Sequence, residues 1–328
     1  MLTLAWAMAE RKHMGRIPEE ADEATRRLLE WVEASDQPPI TTQTPKQARI
    51  AYEEGLTRVD FAPRDLPGIA GFEIDGGSGP LRVRLYTPSS EPDLPLLVYL
   101  HGGGFVIGSL GSHDPLCREI AARAGCMVLN VGYRLAPEHP HPAAPADARA
   151  AVTWASAHAR ELGADPGRLA VAGDSAGGTL AALAARHARD QDIPLRLQVL
   201  LYPALDQAGS YPSRERYADV WPIERDVIRW FQRHQHGHED PMHEIEASPG
   251  RADDLAGLAP AYILTAGLDP LQDEAIAYAR RLEAAGVPVR HHHVDGTIHG
   301  FLNFGRVLPH VGPALDDLAD ALASAFRS

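Results

Sequence analysis

The chain has 328 residues, of which 45% are hydrophobic, and a formal net charge of −13 at pH 7. This length allows a large core, either in one α/β domain or in a domain with a lid. The acidic balance argues against nucleic-acid binding, which depends on lysine and arginine neutralising phosphates. No stretch has transmembrane length, and the N-terminus lacks the basic region of a signal peptide. We therefore expect a cytoplasmic protein with no stable membrane insertion.

The two cysteines, Cys117 and Cys126, are too few for a disulfide framework. Cys117 lies in a predicted helix, and Cys126 lies at the start of a predicted strand. We expect both to be buried free thiols, in keeping with a reducing compartment.

Residues 1–60 are predicted to be helical, because apolar residues recur at helical spacing. Thr44 followed by Pro45 is typical of an N-cap and the first helical position. From there on, strand-like and helix-like segments alternate. Strands are predicted at 72–74, 81–86, 96–100, 127–133, 169–173, 195–201, 261–265 and 289–294. Helices are predicted at 115–124, 146–161, 179–190, 274–285 and 314–326.

This alternation indicates a mainly parallel sheet that is covered by helices on both faces. Ligands of such sheets bind at the carboxyl ends of the strands. Residues 206–250 interrupt the alternation and contain no evident core strand. An insertion of this length between two strands predicts a functional lid rather than a plain loop.

A candidate nucleophile stands at the end of the predicted strand 169–173. Gly173-Asp-Ser-Ala-Gly177 places Ser175 in a G-x-S-x-G motif between that strand and a helix. The two glycines allow a tight turn that would expose the serine hydroxyl above the sheet. The N–H of Ala176, at the helix N-terminus, would then face a developing oxyanion.

A run of glycines follows the predicted strand 96–100, in His101-Gly-Gly-Gly-Phe105. Without side chains, Gly103 and Gly104 are free to turn their N–H groups toward a substrate. We therefore predict an oxyanion hole made by Gly103, Gly104 and Ala176. The alternative interpretation is a flexible turn.

A serine nucleophile needs a histidine base and a carboxylate that orients it. In proteins whose serine nucleophile stands in a G-x-S-x-G turn between a strand and a helix, the acid precedes the histidine along the chain. Asp269 ends one predicted strand and His299 follows another, so both would lie on the edge that carries Ser175. Asp269 is favoured because Pro270 would start the next helix and leave the aspartate in the loop. By position alone, three other acids compete with it: Asp273, Glu274 and Asp295.

The remaining histidines are not predicted to bind metal. His234, His236, His238 and His243, near Glu239 and Asp240, are interpreted as solvated surface of the lid. In His291-His-His293 the side chains alternate faces of a strand, which predicts that they do not converge. His139 and His141 are interpreted as loop residues.

Five motifs stand in the order found in the bacterial hormone-sensitive-lipase-like carboxylesterases, also called family IV. They are His101-Gly-Gly-Gly-Phe, Tyr133-Arg-Leu-Ala-Pro-Glu-His-Pro-His-Pro-Ala-Ala, Gly173-Asp-Ser-Ala-Gly-Gly, Asp269-Pro-Leu-Gln-Asp-Glu and His299-Gly-Phe. The chain resembles this family over nearly its whole length. The resemblance implies the triad Ser175, Asp269 and His299.

The resemblance also implies an α/β-hydrolase fold, with a mainly parallel eight-stranded sheet and a helical cap. The cap would consist of N-terminal helices in residues 1–50 and the insertion 206–250. The core would consist of residues 51–205 and 251–328. The last strand and helix make a homodimer conceivable, so the oligomeric state is open between monomer and homodimer.

The expected reaction is hydrolysis of small-molecule esters, and it needs neither a metal nor an organic cofactor. An apolar, capped pocket favours short to medium acyl chains over long triglycerides. Alternatives with the same triad are an amidase, a peptidase or a lactonase. A non-catalytic relative such as the plant gibberellin receptors is disfavoured, because those lack the histidine that His299 supplies. The candidate pocket residues are Phe105, Val106, Leu205, Trp221, Ile298 and Trp6.

Overall fold

The structure, a computed structural model, describes residues 17–35, 37–237, 239 and 241–327. The described residues form an eight-stranded sheet in the order β1-β2-β4-β3-β5-β6-β7-β8. Its strands are β1 (Gly68–Gly76), β2 (Gly79–Thr87), β3 (Leu94–Leu100), β4 (Met127–Gly132), β5 (Ala164–Asp174), β6 (Leu197–Leu201), β7 (Ala261–Leu268) and β8 (Val289–Ile298). The pairs β1–β2 and β2–β4 are antiparallel, and all other neighbouring pairs are parallel. The predicted fold class is confirmed.

Helices cover both faces of the sheet. They are α1 (Glu23–Glu33), α2 (Pro45–Val59), α3 (Asp114–Ala124), α4 (Ala143–His158), α5 (Ala176–Asp190), α6 (Pro212–Arg216), α7 (Arg225–His236), α8 (Gln272–Ala284) and α9 (Val311–Arg327). Helices α4, α5 and α8 share one apolar cluster with alternate residues of β3, such as Val98. Helices α1, α2, α3 and α9 share a second cluster with the intervening residues, such as Leu97. The sheet therefore separates two hydrophobic layers, and every residue of β3 is buried between them.

The helix start that was predicted at Thr44 and Pro45 is confirmed at α2. The Thr44 side chain accepts a hydrogen bond from the Gln47 N–H, and the Gln47 side chain accepts one from the Thr44 N–H. Such a capping box satisfies two N–H groups that the helix itself leaves unpaired, and a cap of this type is worth about 1 kcal/mol. The domain boundary that we placed at residue 50 falls inside this helix.

Several element ends differ from the prediction. Helix α4 begins at Ala143 and ends at His158, three residues before the predicted bounds at each end. Helix α8 begins at Gln272, so Pro270 lies in the turn before the helix and does not start it. Helix ends are set by backbone hydrogen bonds and caps, which apolar periodicity does not reveal.

The two cysteines are buried and free, as predicted. Cys117 lies in α3 and Cys126 directly before β4. Burial raises the pKa of Cys126 to about 12, so this thiol is protonated at neutral pH. Within the described residues, no helix combines the length and the apolar character that a bilayer crossing requires.

Residues 206–250 connect β6 to β7 and contain the short helices α6 and α7. The α7 residue Trp230 packs in a small apolar cluster with Ala48 of α2 and with Val106 and Ile107, which follow β3. The insertion therefore contacts the N-terminal helical region and the segment after the glycine run.

Candidate active site

Ser175 occupies the turn between β5 and α5. Its backbone has φ +54° and ψ −119°, a conformation that non-glycine residues rarely adopt. The flanking glycines make the turn sterically feasible. A Cβ on Gly177 would lie 1.9 Å from the Leu100 carbonyl oxygen, and a Cβ on Gly173 would lie 2.1 Å from the Gly177 carbonyl oxygen. Strain of this kind is typical of functional positions.

The imidazole of His299 lies between Ser175 and Asp269. Its Nε2 is 2.8 Å from Ser175 Oγ, and its Nδ1 is 2.7 Å from Asp269 Oδ2. Because a carboxylate only accepts, Nδ1–H donates to Asp269, which leaves Nε2 to accept from the serine hydroxyl. His299 follows β8 and is only 4% exposed. His299 Nε2 is therefore placed to take the proton of the Ser175 hydroxyl.

Asp269 follows β7 and is fully buried. Its second oxygen, Oδ1, accepts a hydrogen bond of 2.8 Å from the Leu271 N–H, so both carboxylate oxygens have donors. This pairing fixes the carboxylate against the His299 ring.

The other acids that competed with Asp269 have different partners. Asp273 accepts from the Ser213 N–H, Glu274 pairs with Arg214, and Asp295 contacts His293. The structure therefore brings Asp269, and none of these three, to the Nδ1 atom of His299.

The glycine run 102–104 lies beside the turn that carries Ser175, and its backbone conformation is unusual. Gly103 and Gly104 have φ values of +120° and +57°, which favour glycine. The Gly103 carbonyl accepts hydrogen bonds from Val106 N–H and Ile107 N–H. Within the described residues, neither the Gly103 nor the Gly104 N–H donates to a protein acceptor. Ala176 is the first residue of α5, whose N–H has no partner within the helix.

Buried side chains hold the start of this glycine run. The Tyr133 hydroxyl donates to the His101 carbonyl at 2.7 Å, and the two rings stack with centroids 4.3 Å apart. Burial lowers the pKa of His101 to about 3. The ring is therefore neutral, and its Nδ1–H donates to the Gly102 carbonyl at 2.8 Å. The contacts of Tyr133 and of the neutral His101 ring therefore hold the backbone at the start of the glycine run.

The described pocket candidates lie in and around the packed core. Phe105, Val106, Leu205 and Ile298 are each at most 5% exposed. Trp221 is half-buried, and its ring centroid lies 5.6 Å from that of Phe304. Trp6 lies outside the described residues. Contact of these side chains with a substrate stays a prediction.

Two residues near the site were not predicted from the sequence. Tyr202 is buried, and its ring lies edge-on to His299 with centroids 5.1 Å apart. Phe231, on α7, lies over the glycine run, where a Cβ on Gly104 would be 2.3 Å from its ring. Neither residue belongs to a local motif, so no local signal marks them.

The interpretation of two histidine groups is corrected. His236 is buried and its Nε2 lies 3.0 Å from Gln207 Oε1, so it is not solvated surface. His291 Nε2 and His293 Nδ1 both lie 2.8 Å from Thr265 Oγ1. These two do converge, because residues two apart in a strand face the same side. His238 lies outside the described residues. Within the part of the chain that the structure describes, no three histidine, cysteine, aspartate or glutamate side chains are placed so that they could hold a metal ion together.

The strand order, the strained serine after β5 and the Ser–His–Asp contacts along one sheet edge are those of the α/β hydrolases. A sequence model for the α/β hydrolase fold matches residues 97–303 of the chain.

Similar proteins narrow the class. Esterase LipI of Mycobacterium tuberculosis is 44% identical over 275 residues, covering 80% of this chain and 86% of that protein. Ethyl acetate hydrolase of Pseudomonas putida is 40% identical, covering 87% and 91%. The crystal structure of an α/β hydrolase from the metagenome of Lake Arreo, Spain, superposes with a TM-score of 0.91 at 36% identity, covering 95% of this chain and 100% of that one. The chain belongs to the hormone-sensitive-lipase-like carboxylesterases of the α/β-hydrolase superfamily.

Proposed function

We propose that this protein is a serine carboxylesterase that hydrolyses short- to medium-chain acyl esters, with Ser175 as nucleophile. The observation that carries the proposal is the pair of contacts of His299, at 2.8 Å to Ser175 Oγ and 2.7 Å to Asp269 Oδ2. A histidine bonded in this way to a serine and a buried carboxylate is the arrangement that activates a serine hydroxyl.

In the first step, Ser175 Oγ attacks the ester carbonyl carbon while its proton passes to His299 Nε2. The Asp269 carboxylate holds the ring and stabilises the imidazolium that forms. The carbonyl oxygen becomes an oxyanion, and the tetrahedral intermediate collapses to an acyl-serine. His299 returns its proton to the departing alcohol.

In the second step, a water molecule gives a proton to His299 and attacks the acyl-serine. Collapse of the second intermediate releases the carboxylic acid and returns the proton to Ser175. We assign the oxyanion to the N–H groups of Gly103, Gly104 and Ala176. The absence of a protein acceptor for Gly103 and Gly104 within the described residues supports this assignment, and each such donor is typically worth about 3 kcal/mol in the transition state.

The preference for short acyl chains rests on the cap and on one relative. The ring of Phe231 lies against Gly104 and so narrows the space beside the proposed oxyanion site. One relative, the ethyl acetate hydrolase of Pseudomonas putida, is named after an ester with a two-carbon acyl group. We propose that residues 206–250 act as a cap, together with N-terminal helices in residues 1–50, over the core segments 51–205 and 251–328.

We further propose that the protein acts in the cytoplasm, as a monomer or a homodimer. The two cysteines lie in separate elements and stay unpaired with each other, which supports a reducing compartment.

The test is a panel of p-nitrophenyl esters of increasing acyl length, with amides and lactones beside them. We expect the highest kcat/KM for short to medium acyl esters. Ser175→Ala should stay folded and lose at least about 10⁴-fold in kcat, the scale of losses on removing a triad member. Faster turnover of amides or lactones than of esters would instead assign one of the alternative activities of the same triad.

A further inference from the structure

A second buried carboxylate lies next to Ser175 and has no part in the reaction described above. Asp174 ends β5 and is 2% exposed. Its Oδ1 accepts hydrogen bonds of 2.8 Å from the Tyr99 hydroxyl and 2.8 Å from the Gly102 N–H. The Nε2 of His113 lies 3.2 Å from the same oxygen and 3.3 Å from Oδ2.

The contact with Gly102 joins two parts of the proposed site that are 72 positions apart in sequence. Gly102 directly precedes the glycines of the proposed oxyanion hole, and Asp174 directly precedes Ser175. The approach is so close that a Cβ on Gly102 would lie 2.2 Å from Asp174 Oδ2 and 3.0 Å from the Asp174 carbonyl oxygen. The glycine run therefore contacts the nucleophile turn directly, through Gly102 and Asp174.

The surroundings keep Asp174 charged. Burial opposes its ionisation, but the neighbouring His113 and the hydrogen bonds from His113 and Tyr99 outweigh that effect. They leave the pKa of Asp174 below its ordinary value. A charged acceptor binds an N–H more strongly than a neutral one.

The partner His113 is itself held in place. Its Nδ1 lies 2.9 Å from Ser112 Oγ, and its ring lies 5.4 Å from the ring of His101 between centroids. His113, Tyr99 and His101 are at most 1% exposed, so water does not compete for these bonds. Asp174, His113, Tyr99 and His101 therefore form one buried polar cluster next to Gly102.

We propose that Asp174 is a positioning residue, which holds the Gly102 N–H and thereby keeps the Gly103 and Gly104 amides directed at the oxyanion formed on attack by Ser175. This inference rests on the proposed esterase function. It predicts that Asp174 acts on the transition state rather than on substrate binding, because the oxyanion exists only after attack.

The test compares Asp174→Ala and Asp174→Asn with the wild-type chain on a p-nitrophenyl ester. Loss of one oxyanion donor costs about 10²- to 10³-fold in kcat. A donor that is displaced but not removed should cost less, so we expect Asp174→Ala to lower kcat by about 10- to 100-fold, with KM within about threefold of wild type. Asp174→Asn retains one oxygen that can accept from Gly102 and should lose less.

A second readout isolates the oxyanion. An alkyl trifluoromethyl ketone forms a hemiketal with a serine nucleophile, and its oxygen carries the negative charge of the intermediate. Its inhibition constant should rise in each Asp174 variant by the same factor by which kcat falls. Binding of the uncharged substrate should not change.

Glu119→Gln is the matched control. Glu119 is also a buried carboxylate with ionic partners, but these are Arg64 and Arg123, and among the described residues its carboxylate bonds to neither Gly102 nor Asp174. We expect this variant to lower the melting temperature while kcat and the inhibition constant stay at wild-type values.

Two outcomes separate the proposals. If the wild-type chain hydrolyses esters, and both Asp174 variants keep its kcat and inhibitor affinity while only melting earlier, Asp174 is a purely structural residue and this inference is overturned. If the wild-type chain hydrolyses no ester at all, the proposed function fails, and this inference fails with it. If Asp174→Ala does not fold, the kcat of Asp174→Asn and its inhibition constant for the trifluoromethyl ketone decide whether Asp174 is a positioning residue.

Discussion

The nucleophile turn and the contact that Trp230 of the insertion makes with the core are held together by different kinds of interaction. Around Ser175, glycine Cα atoms approach backbone oxygens so closely that a methyl group has no room, and buried carboxylates accept specific hydrogen bonds. In the insertion, α7 packs by apolar contact through Trp230, and its ion pairs are exposed, as between Arg225 and Glu215. Positions whose backbone atoms lie this close restrict the residue type, whereas the apolar contact of Trp230 requires only a side chain of suitable size and shape.

Gly177→Ala should have the largest effect on the nucleophile turn. The added Cβ would lie 1.9 Å from the Leu100 carbonyl oxygen and 2.7 Å from that of His101. Both contacts are with backbone, so the turn itself must move. We expect a loss of at least about 3 kcal/mol in the free energy of unfolding, together with loss of activity. A melting temperature and kcat equal to wild type would show that the turn is not tightly packed.

Asp60→Asn tests what a buried carboxylate does without the partners that Asp174 has. Asp60 accepts one hydrogen bond, from the Phe61 N–H, and its Oδ2 has no partner among the described residues. Burial raises its pKa to about 7, although the Phe61 N–H and the nearby His113 and Arg306 act in the opposite direction.

The native state therefore binds this proton more tightly than the unfolded state, and stability is lost as pH rises from about 4 to about 7. The amide variant does not titrate. It should unfold at the same temperature as wild type near pH 4 and be more stable at pH 8, by up to about 4 kcal/mol. Thermal unfolding at both pH values measures this gap, and an equal gap at both would contradict the assignment.

Phe231→Ala probes the cap at its contact with the glycine run. The ring lies against Gly104, so its removal opens space beside the proposed oxyanion site. We expect kcat/KM for a hexanoyl ester relative to an acetyl ester to rise by about tenfold, the scale of a methylene-sized pocket change. Arg229→Ala, on an exposed position of the same helix, is the control and should leave the ratio unchanged. An unaltered ratio in Phe231→Ala would mean that this ring does not line the substrate site.

Gly55→Ala should have the smallest effect and the opposite sign to Gly177→Ala. Gly55 lies inside α2, and a Cβ there would meet no atom within 4 Å. Alanine lowers the entropy of the unfolded chain and favours the helix, so we expect a gain of about 0.5–1 kcal/mol in the free energy of unfolding. A lower melting temperature would reveal a contact that the structure does not contain.

The residues that the sequence predicted well are those whose neighbours along the chain restrict them. The eight strands and the start of α2 follow from local patterns. The positions of Ser175, Asp269 and His299 directly after predicted strands indicated that they share one sheet edge, where the structure has them. Their catalytic roles stay predictions. Each strand, the α2 start and each of the three motifs is encoded by a few consecutive residues. The helix ends were less accurate, because capping bonds rather than apolar spacing set them.

The contacts that the sequence did not predict join distant parts of the chain. Asp174 and Gly102 lie 72 positions apart, and Phe231 reaches Gly104 from another element. Neither pair has a local spacing that signals contact. The convergence of His291 and His293 was missed for a different reason: alternation separates adjacent residues of a strand but brings residues two apart to the same face.

The most direct test of the account is covalent labelling with a p-nitrophenyl alkylphosphonate. Attack by Ser175 on phosphorus would displace p-nitrophenolate and leave a phosphonylated serine, while the serine proton passes to His299. We predict one p-nitrophenolate released per chain, loss of esterase activity in step with it, and a mass shift confined to the peptide that contains Ser175. The His299→Ala variant should react far more slowly. A label on another residue, or full esterase activity after Ser175 is modified, would contradict the assignment of Ser175 as the nucleophile.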